Sequence, residues 1–167
     1  HSFPTRRSSD LVSDMEGVAV FNLYELSQEI AFNVDEWSKI ISDASAVIYQ
    51  FPFYWMSAPS LLKKWQDEVF TFLSKTPAVA GKSLTVVTTT GSEYEAYRSG
   101  GRNRFTMDEL LRPYQVSAIH SGMSWQTPIV VYGMGTADAG KNIAEGANLY
   151  KQRVEMLIGS SNAGNNW

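Results

Sequence analysis

The chain has 167 residues, 44% of them hydrophobic and 19% charged, and a net charge of −3. That is the length and composition of one globular domain, not of a disordered or fibrous chain, and an acidic balance argues against nucleic acid as a partner. Cysteine is absent and His1 and His120 are the only histidines, which removes disulfides, thiolate nucleophiles, Fe–S clusters and His-rich metal sites, so any redox role needs a bound cofactor.

The first eleven residues, HSFPTRRSSDL (His1–Leu11), read as the conceptual translation of a common sequencing-adapter oligonucleotide. The other reading is a flexible basic arm. As a non-native segment, 1–11 is set aside from fold reasoning, and the gene read is expected to have lost its own start. The folded domain is expected over 12–159, with 160–167 a flexible tail. No apolar run approaches the length that spans a bilayer.

Gly17–Tyr24 (GVAVFNLY) is short and apolar and predicts a buried strand. Trp37, Ile40, Ile41 and Ala44 follow at helical spacing, with Asp35 as the expected cap. Ala46–Phe51 predicts the next strand, ended by Pro52. Pro59 suits the first turn of a helix whose stripe is Leu61, Leu62, Trp65, Val69 and Phe72. Lys63, Lys64, Asp67 and Glu68 fall on its solvated face. Ser83–Thr90 is strongly β-branched and predicts a third strand. Gly91–Arg104 is a polar loop. Thr106 and Glu109 form a capping-box pattern, Pro113 restarts the helix, and Gly122 ends it. Pro128–Gly133 predicts a fourth strand. Ile143, Ala147, Tyr150, Val154 and Leu157 mark a last helix. Strands alternating with helices argue a parallel sheet covered on both faces. There is no G-x-G-x-x-G and no P-loop.

Ligands of such sheets bind beyond the carboxyl ends of the strands. Two loops lie at such ends. Pro52, Phe53, Tyr54, Trp55 and Met56 bring aromatic side chains to the first, a flat apolar platform whose backbone N–H groups can bond a planar heterocycle. The alternative is that these rings are core or a dimer contact. Thr88, Thr89, Thr90, Gly91 and Ser92 form the second, followed by Tyr94 and Tyr97. Gly91 permits close backbone approach and the hydroxyls can bond ligand oxygens, although threonine runs are also common in strands.

Together these loops carry a resemblance. QFPFYWMSAPSLLKKWQDEVF (Gln50–Phe70) resembles the signature of the flavodoxin-like NAD(P)H:quinone oxidoreductases, a family that includes the ancillary oxidoreductases of glutathione-gated potassium efflux systems. TTTGSEYEAY (Thr88–Tyr97), DELLRPYQVSAIHSGM (Asp108–Met123) and YKQRVEML (Tyr150–Leu157) resemble later segments of that family in the same order. The resemblance implies an α/β fold, a flavodoxin-like three-layer α/β/α arrangement with a parallel sheet of order 2-1-3-4-5. It implies FMN or FAD as cofactor and NAD(P)H as co-substrate. Pro52–Met56 would line one side of the flavin ring, and Thr89, Thr90, Gly91 and Ser92 its pyrimidine end. Tyr97 would be the catalytic residue, stabilising charge at the flavin's polar edge. The implied reaction is ping-pong hydride transfer to a quinone or another electrophilic small molecule. The implied protein is a cytoplasmic homodimer, with a membrane transporter as a possible partner.

The sequence departs from the family in three places. The family's first strand and its phosphate loop have no counterpart here, and Gly17–Tyr24 matches the second strand, so this chain is expected to be a fragment impaired in flavin binding and stability. The family's aromatic-Gly stretch is shortened to Thr71–Lys75. The histidine that accompanies the tyrosine in some members has no counterpart near Arg98–Arg104. Gly100–Arg104 reads either as a nucleotide-phosphate contact or as a solvated loop. His120 reads as a helix-end residue, and Trp37 and Trp65 as core. A different function class remains beside the enzyme, a regulatory ancillary subunit of a potassium efflux transporter with secondary redox activity. A single-electron carrier is disfavoured by Gln50–Phe70.

Overall fold

The computed structural model describes residues 12–26 and 31–163, with side chains through 160. Its elements in chain order are α1 (Leu23–Leu26), α2 (Val34–Asp43), β1 (Ala46–Pro52), α3 (Ser60–Trp65), a π-turn (Gln66–Phe70), α4 (Thr71–Leu73), β2 (Ser83–Thr89), a 3-10 turn (Tyr94–Tyr97), α5 (Met107–Leu110), α6 (Arg112–His120), β3 (Ser124–Trp125), β4 (Ile129–Val131) and α7 (Ala139–Ala163). Every strand pairing is parallel. β1 runs beside β2 from Ala46↔Ser83 to Pro52↔Thr89. On the other side of β2 the chain pairs in two pieces, β3 and then β4. The expected fourth strand is therefore shorter than Pro128–Gly133, because Pro128 has no N–H to give to a ladder.

Alternation along the strands separates two cores. Tyr49, Phe51, Leu84 and Val86 are buried on one face against Trp37, Trp65, Leu111 and Tyr114. Val87 and Ile129 are buried on the other, against Val12, Tyr150 and Val154. Helices α2 to α6 cover the first face, while α7 and residues 12–18 cover the second, which makes three layers. Helix α7 approaches β4 so closely that a Cβ at Gly146 would stand 2.3 Å from Val131 Cγ2. Trp37, Trp65, Tyr49 and Tyr114 form an edge-to-face chain with centroids 5.2, 5.9 and 6.4 Å apart, a geometry that the ring quadrupoles favour.

The structure corrects the sequence reading in five places. Gly17–Tyr24 is not a strand. Phe21 packs on Trp37, while Val20 and Tyr24 are exposed. Asn22 starts α1 instead, its Oδ1 accepting from Tyr24 N at 3.1 Å and its carbonyl from Glu25 N at 3.0 Å; such local bonds compete with a ladder when no partner strand is paired. Accordingly, the described residues form only the 3-4-5 part of the expected strand order. The cap of α2 is Asn33, not Asp35, since Asn33 Oδ1 accepts from Asp35 N and Glu36 N. Phe72 does not continue the buried stripe of α3. The π-turn adds one residue to the helical repeat, so Leu73 is 2% exposed and Phe72 is 59% exposed. Finally, α7 continues to Ala163 where a tail was expected from 160.

Elsewhere the sequence signals hold. The Thr106–Glu109 capping box forms in both directions, Pro113 lies in the first turn of α6, and His120 closes α6 at the surface. Lys63 pairs with Asp67 and Lys64 with Glu68 along the outer face of the helix. The Lys64 ammonium, together with the Phe32 N–H, holds the Glu68 carboxyl below its ordinary value. Lys82 ties β2 to α2 by donating to the carbonyls of Ile41 and Ser42 at 2.8 Å and to that of Ala44, at the C-terminal end of α2 where the helix runs out of backbone donors. The predicted segment 1–11 lies outside the described residues.

Two measurements test this core. Leu73→Ala should cost roughly 2–5 kcal/mol in chemical denaturation, and Phe72→Ala less than about 0.5 kcal/mol; equal costs would contradict the π-turn register. Burial pushes the Tyr49 hydroxyl upward and raises Tyr132 and Tyr150 to about 12. An unfolded tyrosine ionises near 10, so the unfolded state alone loses these protons between about pH 10 and 12. The melting temperature should hold below about pH 10 and fall through that window, with a shallower fall in Tyr150→Phe.

Candidate functional site

The β1–β2 register brings two strand ends together. Pro52 lies opposite Thr89, and pairing continues one residue further, as Phe53 N donates to Thr89 O at 2.9 Å. Thr90 N donates to Val131 O and Met134 N to Thr90 O, both at 2.9 Å, so the loop after β2 is pinned from the β4 side as well. The threonine hydroxyls serve this pinning. Thr88 Oγ1 donates to Phe51 O at 2.7 Å, and Thr90 Oγ1 to Ser92 O at 2.8 Å. Thr90 is buried, with its hydroxyl bonded inside the loop and both of its backbone groups bonded to the chain after β3.

After Phe53 the chain reverses over Tyr54–Ser57. Tyr54 N donates to Ser57 O at 2.8 Å and Ser57 N to Tyr54 O at 2.9 Å, with Trp55 at φ 46° and Met56 at φ 62°. Two consecutive left-handed residues make a two-residue hairpin turn that usually takes Asn-Gly. Side chains with a Cβ cost about 1 kcal/mol or more each there. Tyr114 on α6 helps hold the turn, because its Oη accepts from Ala58 N at 3.1 Å and lies 3.3 Å from Ser57 Oγ.

The expected aromatic platform is divided. Phe53 points into the core and meets Tyr97 edge-on at 6.2 Å. Tyr54, Trp55 and Met56 stand in solvent, Trp55 at 96% exposure. Tyr97 is buried between Phe53 and Tyr132, the latter at 5.9 Å. Burial, followed by the nearby Tyr94, Asp108 and Tyr97, raises the Tyr132 hydroxyl to about 12, so it keeps its proton throughout the neutral range. The structure thus joins Pro52, Phe53, Thr89, Thr90 and Tyr97 at one strand-end cluster, with Gly91 and Ser92 continuing it on the loop. Tyr54, Trp55 and Met56 form its exposed rim.

The loops fit a planar heterocycle with polar edges. Among the described residues the backbone N–H groups of Trp55, Met56, Gly91 and Ser92 have no acceptor. A Cβ on Gly91 would meet nothing within 4 Å, so the space above it is open. Ser92 Oγ accepts from Arg102 Nη2 at 2.8 Å. A separate cleft of about 390 Å³ lies between β4, α7 and residues 93–95. It is lined by Tyr94, Tyr132, Asn142 and Glu145, and none of the sequence-predicted site residues borders it. Sequence reasoning missed Tyr114, whose only sequence signal is its place one residue after the helix-starting Pro113.

Residues 9–154 match a family described as having the flavodoxin-like fold. The chain belongs to that family. Among relatives, the uncharacterized NAD(P)H oxidoreductase YdeQ of Bacillus subtilis (strain 168) is 35% identical over 144 residues, covering 84% of this chain and 73% of that protein. The glutathione-regulated potassium-efflux system ancillary protein KefG of Serratia proteamaculans is 35% identical over 122 residues, covering 71% and 67%. Among solved structures, general stress protein 14 from Treponema denticola in complex with FMN superposes with a TM-score of 0.82 at 26% identity, covering 93% of this chain and 91% of that one. An NADPH-quinone reductase from P. pentosaceus gives 0.72 at 25%, covering 87% and 88%.

Tyr114→Phe keeps the ring and removes the acceptor that holds Ala58 N. It should lower stability by about 1 kcal/mol and speed amide hydrogen exchange over 54–58. Unchanged exchange there would show that the turn holds without Tyr114.

Proposed function

We propose that this flavodoxin-like chain is a flavin-dependent NAD(P)H:quinone-type oxidoreductase that takes FMN. The observation that carries the reading is the strand-end cluster, where four N–H groups without acceptors border the Phe53–Tyr97 aromatic wall and the open space above Gly91. The FMN complex and the NADPH-quinone reductase among the similar structures support it. When bound, FMN supplies the two-electron chemistry, a hydride in from NAD(P)H and an electron pair out to a quinone, that no side chain here supplies.

In this reading, the N–H groups of Trp55, Met56, Gly91 and Ser92 orient the ring by its polar edge. Phe53 and Tyr97 keep water from one flank, which strengthens the remaining polar contacts. The Tyr97 hydroxyl donates a hydrogen bond to negative charge at the ring edge, an electrostatic role. Trp55 and Tyr54 at the rim meet the acceptor. A homodimer, with residues 53–55 and the 61–72 helix near the contact, and a cytoplasmic location belong to the same proposal. Among the described residues no helix is long and apolar enough to cross a membrane.

The similarity to KefG favours a second reading, an ancillary subunit docking on a potassium efflux transporter. Retention on transporter-containing membranes, with transport altered by a variant that no longer binds FMN, would favour docking over catalysis.

The described contacts address the ring rather than the phosphate. FMN and riboflavin should therefore bind with affinities within about threefold of each other, read by quenching of flavin fluorescence. Failure of both to bind at tens of micromolar would overturn the proposal. Tyr97→Phe should leave FMN affinity unchanged and lower kcat for quinone reduction roughly 10- to 100-fold; an unchanged kcat would remove Tyr97 from the mechanism.

A further inference from the structure

The segment after Tyr97 carries three arginines in seven residues, Arg98, Arg102 and Arg104, and its backbone is tightly folded. Gly101 N donates to Arg98 O at 2.9 Å, Arg104 N to Gly101 O at 3.0 Å, and Asn103 N to Ala96 O at 3.0 Å. A Cβ on Gly101 would come within 2.2 Å of Glu95 O, so glycine alone lets this turn close against the preceding one. Arg104 is left-handed at φ 62°, a region a residue with a Cβ avoids.

Two of the guanidinium groups are held over the consecutive residues Ser92, Glu93 and Tyr94. Arg98 lies on the Tyr94 ring, 5.2 Å from its centroid. Arg102 Nη2 donates to Ser92 Oγ at 2.8 Å and lies 3.7 Å from Glu93 Oε2. The carboxylates nearby are Glu93, paired with Arg102, and Glu95. Both members of the Arg102–Glu93 pair are about half exposed or more, so the pair is weak and exchanges readily for a stronger anion. Each guanidinium keeps N–H donors beyond these contacts, in the planar fork that suits a phosphate.

We infer that Arg98 and Arg102 form a subsite for a phosphate monoester on the rim of the strand-end site, and that this group is the ribose 2′-phosphate of NADPH. The inference rests on the proposed function for its coenzyme. Two molecules of that reading carry a phosphate monoester, NADPH and FMN. The exposed, screened setting of these arginines suits the one that must leave in every turnover.

The test is calorimetric titration of the protein with NADP⁺, NAD⁺ and 2′-AMP, in parallel with FMN and riboflavin. NADP⁺ should bind about tenfold or more tightly than NAD⁺. Arg102→Ala and Arg98→Ala should each remove most of that difference while NAD⁺ affinity stays the same, and Arg102→Lys should restore it in part. Higher salt should shrink the difference. Equal affinities in the parent protein, or a difference that survives both alanine variants, would overturn the inference. Loss confined to FMN relative to riboflavin would overturn the coenzyme assignment and give the arginines to the cofactor phosphate. If flavin binding fails while the NADP⁺ preference and its loss in the variants persist, the proposed function falls and the phosphate subsite stands. Circular dichroism of each variant separates loss of the subsite from loss of fold, and Arg104→Ala provides a third surface variant.

Discussion

The site depends on one register. β1 and β2 run parallel from Ala46↔Ser83 to Pro52↔Thr89, and the bond from Phe53 N to Thr89 O carries the pairing past the strands themselves. A slip of one residue would turn every side chain to the opposite face. Tyr49, Phe51, Leu84 and Val86 would leave the helix-covered core, and Phe53 would no longer meet Tyr97. The same hydrophobic pattern that fixes the core therefore fixes which backbone N–H groups stand at the strand ends.

Around that register the structure divides rigid from exposed parts. The loop after β2 is tied into β4 through Thr90 and Met134, and its threonine hydroxyls bond inside the fold. The loop after β1 has a buried foot at Phe53 and an exposed tip at Trp55. Its left-handed turn is held from a distant helix by Tyr114. Strain at a ligand-facing loop, supported by a buried side chain elsewhere, is a common way to keep backbone donors in place. Open parallel sheets bind their ligands beyond such strand ends, and the proposed FMN chemistry follows from donors and aromatic walls rather than from reactive side chains.

Charge is distributed to match. The chain is acidic overall, yet the 98–104 turn gathers three arginines at the rim of the site. Long-range repulsion of an anionic coenzyme by a net charge of −3 is small at physiological ionic strength, where the screening length is about 8 Å. Local arginine forks then decide what binds.

The sequence by itself determined the alternation of strands and helices, the parallel sheet with two covered faces, the Thr106 capping box, the break at Pro113 and the two strand-end loops. Each is encoded by near neighbours, in period, cap or turn chemistry, and the strand-end rule then located the loops. The tertiary structure alone decided the rest. Whether Gly17–Tyr24 became a strand depended on a partner strand, and Asn22 won locally because none is paired there among the described residues. Phe72 left the core because a π-turn over Gln66–Phe70 rotated the helix, which a regular helical spacing does not contain. The split between inward Phe53 and outward Trp55, and the support of their loop by Tyr114 from 56 residues away, came from contacts across the fold. Those contacts follow from the register of the sheet, and a one-dimensional pattern does not contain it.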